Sequence, residues 1–299
     1  MFARRPPRPV VIALVLPALL LAACQTGTAG AARPADHLVT TTTTVTTTTV
    51  APTTTTPRPT TTTRSTTTTR PTTTAPAAPA GHGQVIVLDP GHNGGNASHP
   101  AEINALVPAG RGQRKACNTT GTATDAGYAE HAFNWSVAQR VRSDLVARGY
   151  RVVLTRSSDS GVGPCVNVRA EIGDDADAAA VVSIHADGST ASGAHGFHVE
   201  YSSPPLNSAQ GGPSVTLATT LRNTVRSHGF VTATYIGHDG LFGRSDLGGL
   251  NLSDRPTALI ECGNMRDAGD AAVLSSASGR QRIADAIAAG IMAYVAPAG

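Results

Sequence analysis

From Val85 onward the chain alternates short apolar runs with longer stretches whose apolar positions recur at helical spacing. Gln84–Asp89 (QVIVLD), Tyr150–Thr155 (YRVVLT), Ala179–Ile184 (AAVVSI) and Thr257–Cys262 (TALIEC) are rich in β-branched residues and nearly continuous in hydrophobicity, the pattern of strands buried on both faces. Gly196–Tyr201 alternates as a further strand does. Phe133, Val137, Val141 and Leu145 recur every four residues within Glu130–Arg148, and Gly149 supplies a stop, so this stretch predicts a long helix. Asn167–Asp175 predicts a short helix, Val215–His228 a helix closed by Gly229, and Gly279–Val295 a last helix with Ile283, Ile287, Ile291 and Val295 on one face. His92–Tyr128 is rich in Gly, Asn, Pro and Ala and shows neither period, which predicts a long loop, and loops of that length usually serve a function.

Apolar strands interleaved with amphipathic helices argue a single α/β layered domain with a largely parallel central sheet. Such sheets gather ligands at the carboxyl ends of their strands. Three runs carry a polar group there: His92 after VIVLDPG, His185 after VVSI, and Glu261 near the end of TALIEC.

The first 83 residues follow other rules. Arg4, Arg5 and Arg8 precede an apolar run that ends in Leu21-Ala22-Ala23-Cys24, which resembles a bacterial lipobox with Cys24 as the acylated residue; an ordinary signal peptide with an incidental Cys is the alternative. Residues 25–83 read as a disordered linker: 24 of the 35 residues from Thr40 to Thr74 are Thr, too little apolar surface to offset ordering. These assignments divide the chain into a lipoprotein-type signal peptide (1–24), a Thr/Pro-rich linker (25–83) and a folded domain (84–297). The linker would span about 180 Å if extended and about 45 Å as a coil, suiting a domain held at a membrane and reaching into a wall.

Charge and cysteine content sharpen this reading. The formal charge of +3 belongs to the leading segments, because Gln84 onward carries 16 Lys and Arg against 19 Asp and Glu. A nucleic-acid partner therefore has no electrostatic support. Of four cysteines, Cys117 and Cys165 lie in Gly/Asn-rich loop sequence of an exported chain and are the expected disulfide, while Cys262 sits in an apolar strand as a buried thiol.

Glu130 shares the helix face of Phe133 and Val137, where a carboxylate is costly unless paired or metal-bound. Together with His92 and His185 it makes two imidazoles and one carboxylate, a donor set for Zn2+ with one position left for water. Glu261, isolated among apolar residues, should have a raised pKa and is the candidate base. Alternation along a strand then turns Cys262 away from the site. Each residue also has an ordinary reading: strand-end histidines are most often structural, Glu130 suits a helix N-terminus, and Glu261 could pair with Arg255 or Arg169.

The conjunction gains specificity from a resemblance. VIVLDPGHNGG, YAEHAFNWSVAQRVRSDLVARGYRVVLTRSSD, NVRAEIGDDADAAAVVSIHAD and PTALIECGNMRD, in this order, resemble the zinc-dependent N-acetylmuramoyl-L-alanine amidases of the amidase-3 family, above all its compact mycobacterial members. The resemblance implies a mixed, mostly parallel sheet with helices on both faces, His92, Glu130 and His185 as zinc ligands, and Glu261 as the catalytic group. It implies a peptidoglycan or muropeptide substrate cut between N-acetylmuramic acid and L-Ala. Asp89 is expected to orient a ligand histidine, and Arg169 and Asn251 are weaker candidates for substrate contact. The family often has Asn where Asp187 stands and Gly-Phe where Gly263-Asn264 stands, and its segment after the first histidine is often shorter. A monomer acting outside the cytoplasm is expected, anchored by lipid or, alternatively, secreted. A wall-binding lipoprotein without activity and a different exported zinc hydrolase are the competing readings.

Overall fold

A computed structural model describes residues 83–296. The expected signal peptide, Cys24 and nearly all of the expected linker lie outside the described residues. The elements are β1 (Val85–Pro90), a 3-10 turn (Asn96–Ser98), α1 (Pro100–Ile103), β2 (Leu106–Pro108), β3 (Arg114–Ala116), α2 (Glu130–Val146), β4 (Arg151–Leu154) and α3 (Val166–Asp175). They continue with β5 (Ala180–Asp187), β6 (His198–Ser202), α4 (Ser208–Gly211), α5 (Pro213–Ser227), β7 (Leu241–Arg244), α6 (Gly248–Leu252), β8 (Thr257–Asn264), α7 (Ala268–Ser275) and α8 (Ala277–Val295).

The central sheet has six strands in the order β4-β1-β5-β8-β6-β7. β4, β1, β5 and β8 run parallel, β6 lies antiparallel to β8, and β7 runs parallel to β6. Helices cover both faces. α2, α5 and α8 pack on one, α3 and α6 on the other.

Alternation along the strands divides the sheet chemically. Ile86 and Leu88 of β1, Val182, Ile184 and Ala186 of β5, and Ala258, Ile260 and Cys262 of β8 point into the main core with Phe133, Val137, Val141 and Leu145 of α2. The opposite face carries Asp89, Ser183, His185 and Glu261, and it lines the cavity. The same period that builds the core therefore delivers the polar groups to one place. Cys262 is a buried free thiol on the core side, as the alternation requires.

Several elements differ from the sequence reading. β5 continues through His185 to Asp187, because β8 offers backbone partners past the point where the apolar run stops. The expected loop from His92 to Tyr128 holds a 3-10 turn, α1 and the β2–β3 hairpin. Three-residue strands are too short to display a period. The hairpin is held instead from outside, by Lys115 Nζ donating to the Asp246 carbonyl over 2.7 Å and by the Cys117–Cys165 disulfide, which ties its end to the start of α3. β7 and α6 were likewise without a pattern, being four and five residues long.

Candidate metal centre and active site

The turn after β1 sets the first histidine. Gly91 N–H donates to Ile184 O over 3.0 Å, and His92 follows in the left-handed region at φ +57°. The His92 ring then stands over the mouth of the sheet. Its Nδ1 lies 3.0 Å from the Thr119 carbonyl, which can only accept, so Nδ1 carries a proton and Nε2 is directed inward.

Glu130 opens α2, but its carboxylate does not cap the helix. Oε2 accepts from Thr122 N–H at 2.9 Å, and Oε1 lies 3.1 Å from His92 Nε2 and 3.0 Å from His185 Nδ1. Asn134, one turn along α2, donates to Gly91 O over 3.2 Å and joins helix to turn. Burial alone would raise the Glu130 carboxyl; the bonds and charges of His185 and His92 outweigh it and hold it well below the usual range. Burial would lower His92, yet the bond to Glu130 and its charge raise it.

The three donor atoms lie within 4.8 Å of one another. A tetrahedral ion with ligands at about 2.0–2.1 Å sets its donors about 3.3 Å apart, close to the two spacings found here. Two neutral-capable imidazoles and a buried carboxylate with no Lys or Arg partner among the described residues fit a divalent ion of borderline softness. Two glycines keep this point clear. A Cβ on Gly91 would stand 2.0 Å from His185 Cε1, and one on Gly121, at φ +75°, would stand 2.7 Å from Glu130 Oε2.

Glu261 sits on β8 in register with His185 on β5. Burial, then the charges of Glu130, Glu200 and Asp187, raise its pKa well above the ordinary carboxyl value, with Arg244 opposing. Its Oε2 is buried with no hydrogen-bond partner. The ion pairs considered for it are absent among the described residues: Arg255 pairs with Asp177, and Arg169 with Asp89.

Asp89 touches neither histidine. It accepts from Thr155 Oγ1 and Arg169 Nη1, each at 2.6 Å, and from Ser183 Oγ at 2.7 Å. Arg169, bound to Asp89, in turn donates to Pro90 O over 2.9 Å and to His92 O over 3.0 Å, so Asp89 is linked to the His92 turn through this guanidinium. Arg169 and Asn251 are buried with their polar atoms engaged inside the protein. Asn251 Nδ2 donates to Ala109 O and Ser245 O, and its Oδ1 accepts from Ser202 and Arg111. The polar groups that the sequence reading passed over are Thr119, which acts through its carbonyl and so leaves no side-chain signal, and Lys115, Glu200 and Arg244 across the cavity.

The cavity has a volume of about 530 Å³ and runs from this trio past Glu261 to Lys115 and Arg244. That is the size of a pocket for a small or extended ligand.

Residues 86–293 match the Amidase_3 family, described as N-acetylmuramoyl-L-alanine amidase. The chain is 48% identical over 226 residues to N-acetylmuramoyl-L-alanine amidase Rv3717 of Mycobacterium tuberculosis, an alignment covering 75% of this chain and 92% of that one. It is similar to the crystal structure of the N-acetylmuramyl-L-alanine amidase Ami1 from Mycobacterium smegmatis, with a TM-score of 0.70, 49% identity, and coverage of 72% of this chain and 98% of that one. The apo form of Ami1 from Mycobacterium abscessus aligns with a TM-score of 0.69 and 50% identity over 72% of this chain and 99% of that one.

Proposed function

The chain belongs to the Amidase_3 family of N-acetylmuramoyl-L-alanine amidases, and we propose that it hydrolyses the amide between N-acetylmuramic acid and the L-Ala of the stem peptide with zinc held by His92, Glu130 and His185. Its substrate is peptidoglycan. The observation that carries the reading is the convergence of both imidazoles on Glu130 Oε1, with Glu261 presented in register beside His185.

Zinc bound there supplies Lewis acidity for the scissile carbonyl and the attacking water. The rest of the reaction falls to the chain. Glu261 has no ion pair among the described residues, and burial and the neighbouring carboxylates outweigh the Arg244 charge, so a proton taken from water is retained readily. The same carboxyl then delivers that proton to the departing L-Ala nitrogen. Arg169 and Asp89 position the turn that bears His92, and Asn251 ties the tip of the hairpin to α6 rather than reaching the substrate.

The enzyme works outside the cytoplasm, in keeping with its wall substrate and its disulfide. The Leu21–Cys24 pattern and the Thr-rich segment support a lipid anchor at Cys24 with a spacer to the wall.

Product analysis on defined muropeptides tests the function. Protein stripped by chelator and reloaded with zinc should release a stem peptide with a free L-Ala amine and leave a newly formed lactyl carboxylate on N-acetylmuramic acid. A zinc-loaded protein that leaves this bond whole, or that cuts within the stem, overturns the reading.

A further inference from the structure

Glu261 has a neighbour that the reaction as described does not use. β6 runs antiparallel to β8 with His198 directly opposite Glu261, and opposed residues of an antiparallel pair put their side chains on the same face. His198 is 1% exposed and Glu200, two residues on and on that face, is 2% exposed. Glu200 Oε1 lies 3.4 Å from His198 Nε2. The same carboxylate is bound by Arg244, whose guanidinium also holds Asp246. The Nε2 edge of the ring thus lies beside a charged chain anchored on β7.

The Nδ1 edge has no such neighbour among the described residues. His198 Nδ1 is buried without a hydrogen-bond partner, and so is Glu261 Oε2. Two orphan polar atoms on two directly opposed residues are an unusual coincidence, because each is costly alone and one bond satisfies both. The Tyr235 and Phe242 rings pack edge-on around the imidazole and keep it from turning to solvent.

We propose that His198, braced by Glu200, is a positioning residue for Glu261: its Nδ1 engages Glu261 Oε2, directly or through one bridging water, and leaves the other carboxyl oxygen aimed at the substrate. One proton shared between the two atoms makes the bond. The role of Glu200 is to hold the imidazole edge-on, and that of Arg244 is to hold Glu200. The proposal rests on the reading of Glu261 as the acid–base group.

Two substitutions separate the edges of the ring. In His198→Asn the amide occupies the place of Nδ1 and keeps the link to Glu261. In His198→Gln it occupies the place of Nε2 and keeps only the link to Glu200. The measurements are kcat and KM on a muropeptide, zinc per chain, and the thermal midpoint. His198→Gln should lose at least about 10-fold in kcat with KM within about 2-fold and full zinc, while His198→Asn keeps at least roughly a third of kcat. Wild-type kcat in His198→Gln, equal losses in the two variants, or losses that track zinc or midpoint overturn the proposal. Should neither variant fold, Glu200→Gln, which keeps the size of the side chain, decides: a drop in kcat of about 3-fold or more at full zinc supports it, and unchanged kcat sinks it. Glu261→Gln is measured alongside. Activity there removes the reading beneath the proposal, whereas an inactive Glu261→Gln with a fully active His198→Gln removes the proposal alone.

Discussion

The His185 imidazole lies against the backbone of Gly91, so close that a single added Cβ would stand 2.0 Å from its Cε1 and 2.2 Å from its Nε2. β1 and β5 are neighbouring parallel strands, and the ring fills the space that a side chain at position 91 would need. The glycine is there for the histidine.

Gly91→Ala should therefore displace His185 from Glu130. Zinc affinity is expected to fall on the order of 10- to 100-fold, the loss typical of disturbing a ligand's support. Titration of zinc into stripped protein reads this directly, with circular dichroism as the check on folding. Wild-type affinity in this variant would mean that the ring has another seat.

Glu261→Gln keeps the shape of the side chain and removes its capacity to take a proton. Activity on muropeptides should fall by about 10²- to 10⁴-fold, while zinc content stays at the wild-type level, since Glu261 is not one of the three donors. Loss of zinc together with activity would assign Glu261 to metal binding instead.

Asp89 is held at a pKa of about 2, against 3.8 when free: burial pushes it up, but the Arg169 charge and the Thr155 and Ser183 hydroxyls outweigh that and lower it. A depressed folded-state pKa adds stability above the unfolded value and loses it as pH falls through the folded one. The contribution is about 2 kcal/mol and should disappear between about pH 5 and pH 2. Urea unfolding of wild type and Asp89→Asn across that window should show the wild type losing more stability than the variant. At neutral pH the variant should be less stable by roughly 3 kcal/mol, because Arg169 is left buried without its counter-charge. Parallel acid profiles would place the acid sensitivity elsewhere.

The Cys117–Cys165 bond closes a loop of sequence separation 48. Chain entropy gives about 4 kcal/mol for that length as an upper figure. Cys117→Ser/Cys165→Ser should melt lower by up to about 8–16 °C in a domain of this size. The hairpin and the start of α3 should loosen first, because Val166 N–H donates to Cys117 O beside the bridge. Hydrogen exchange localises that effect, and an unchanged midpoint would show that the other ties of the hairpin suffice.

Most of the sheet and the large helices were legible because their periods are long enough to count. QVIVLD, TALIEC and the four-residue repeat from Phe133 to Leu145 each state which face is apolar, and that statement alone turns Glu261 away from Cys262. The hairpin from Leu106 to Ala116 was not legible, since three-residue strands carry no period and their support comes from Asp246 and Cys165, distant in the chain. His198 lay in a recognised strand, but nothing local says that its opposite residue is Glu261.

The sequence by itself determined the alternation of strands and helices, the parity of each strand and the four residue types on which the chemistry depends. Those are local properties, set by side-chain spacing against a backbone of fixed period. Only the tertiary structure decided which strand ends meet: that Thr119 O takes the outer edge of His92, that Asp89 bonds to Arg169 and to neither histidine, and that Glu130 turns from its helix toward two imidazoles. Each of these is a contact between segments far apart in sequence. Strand order and register create it, and no window of the chain contains it.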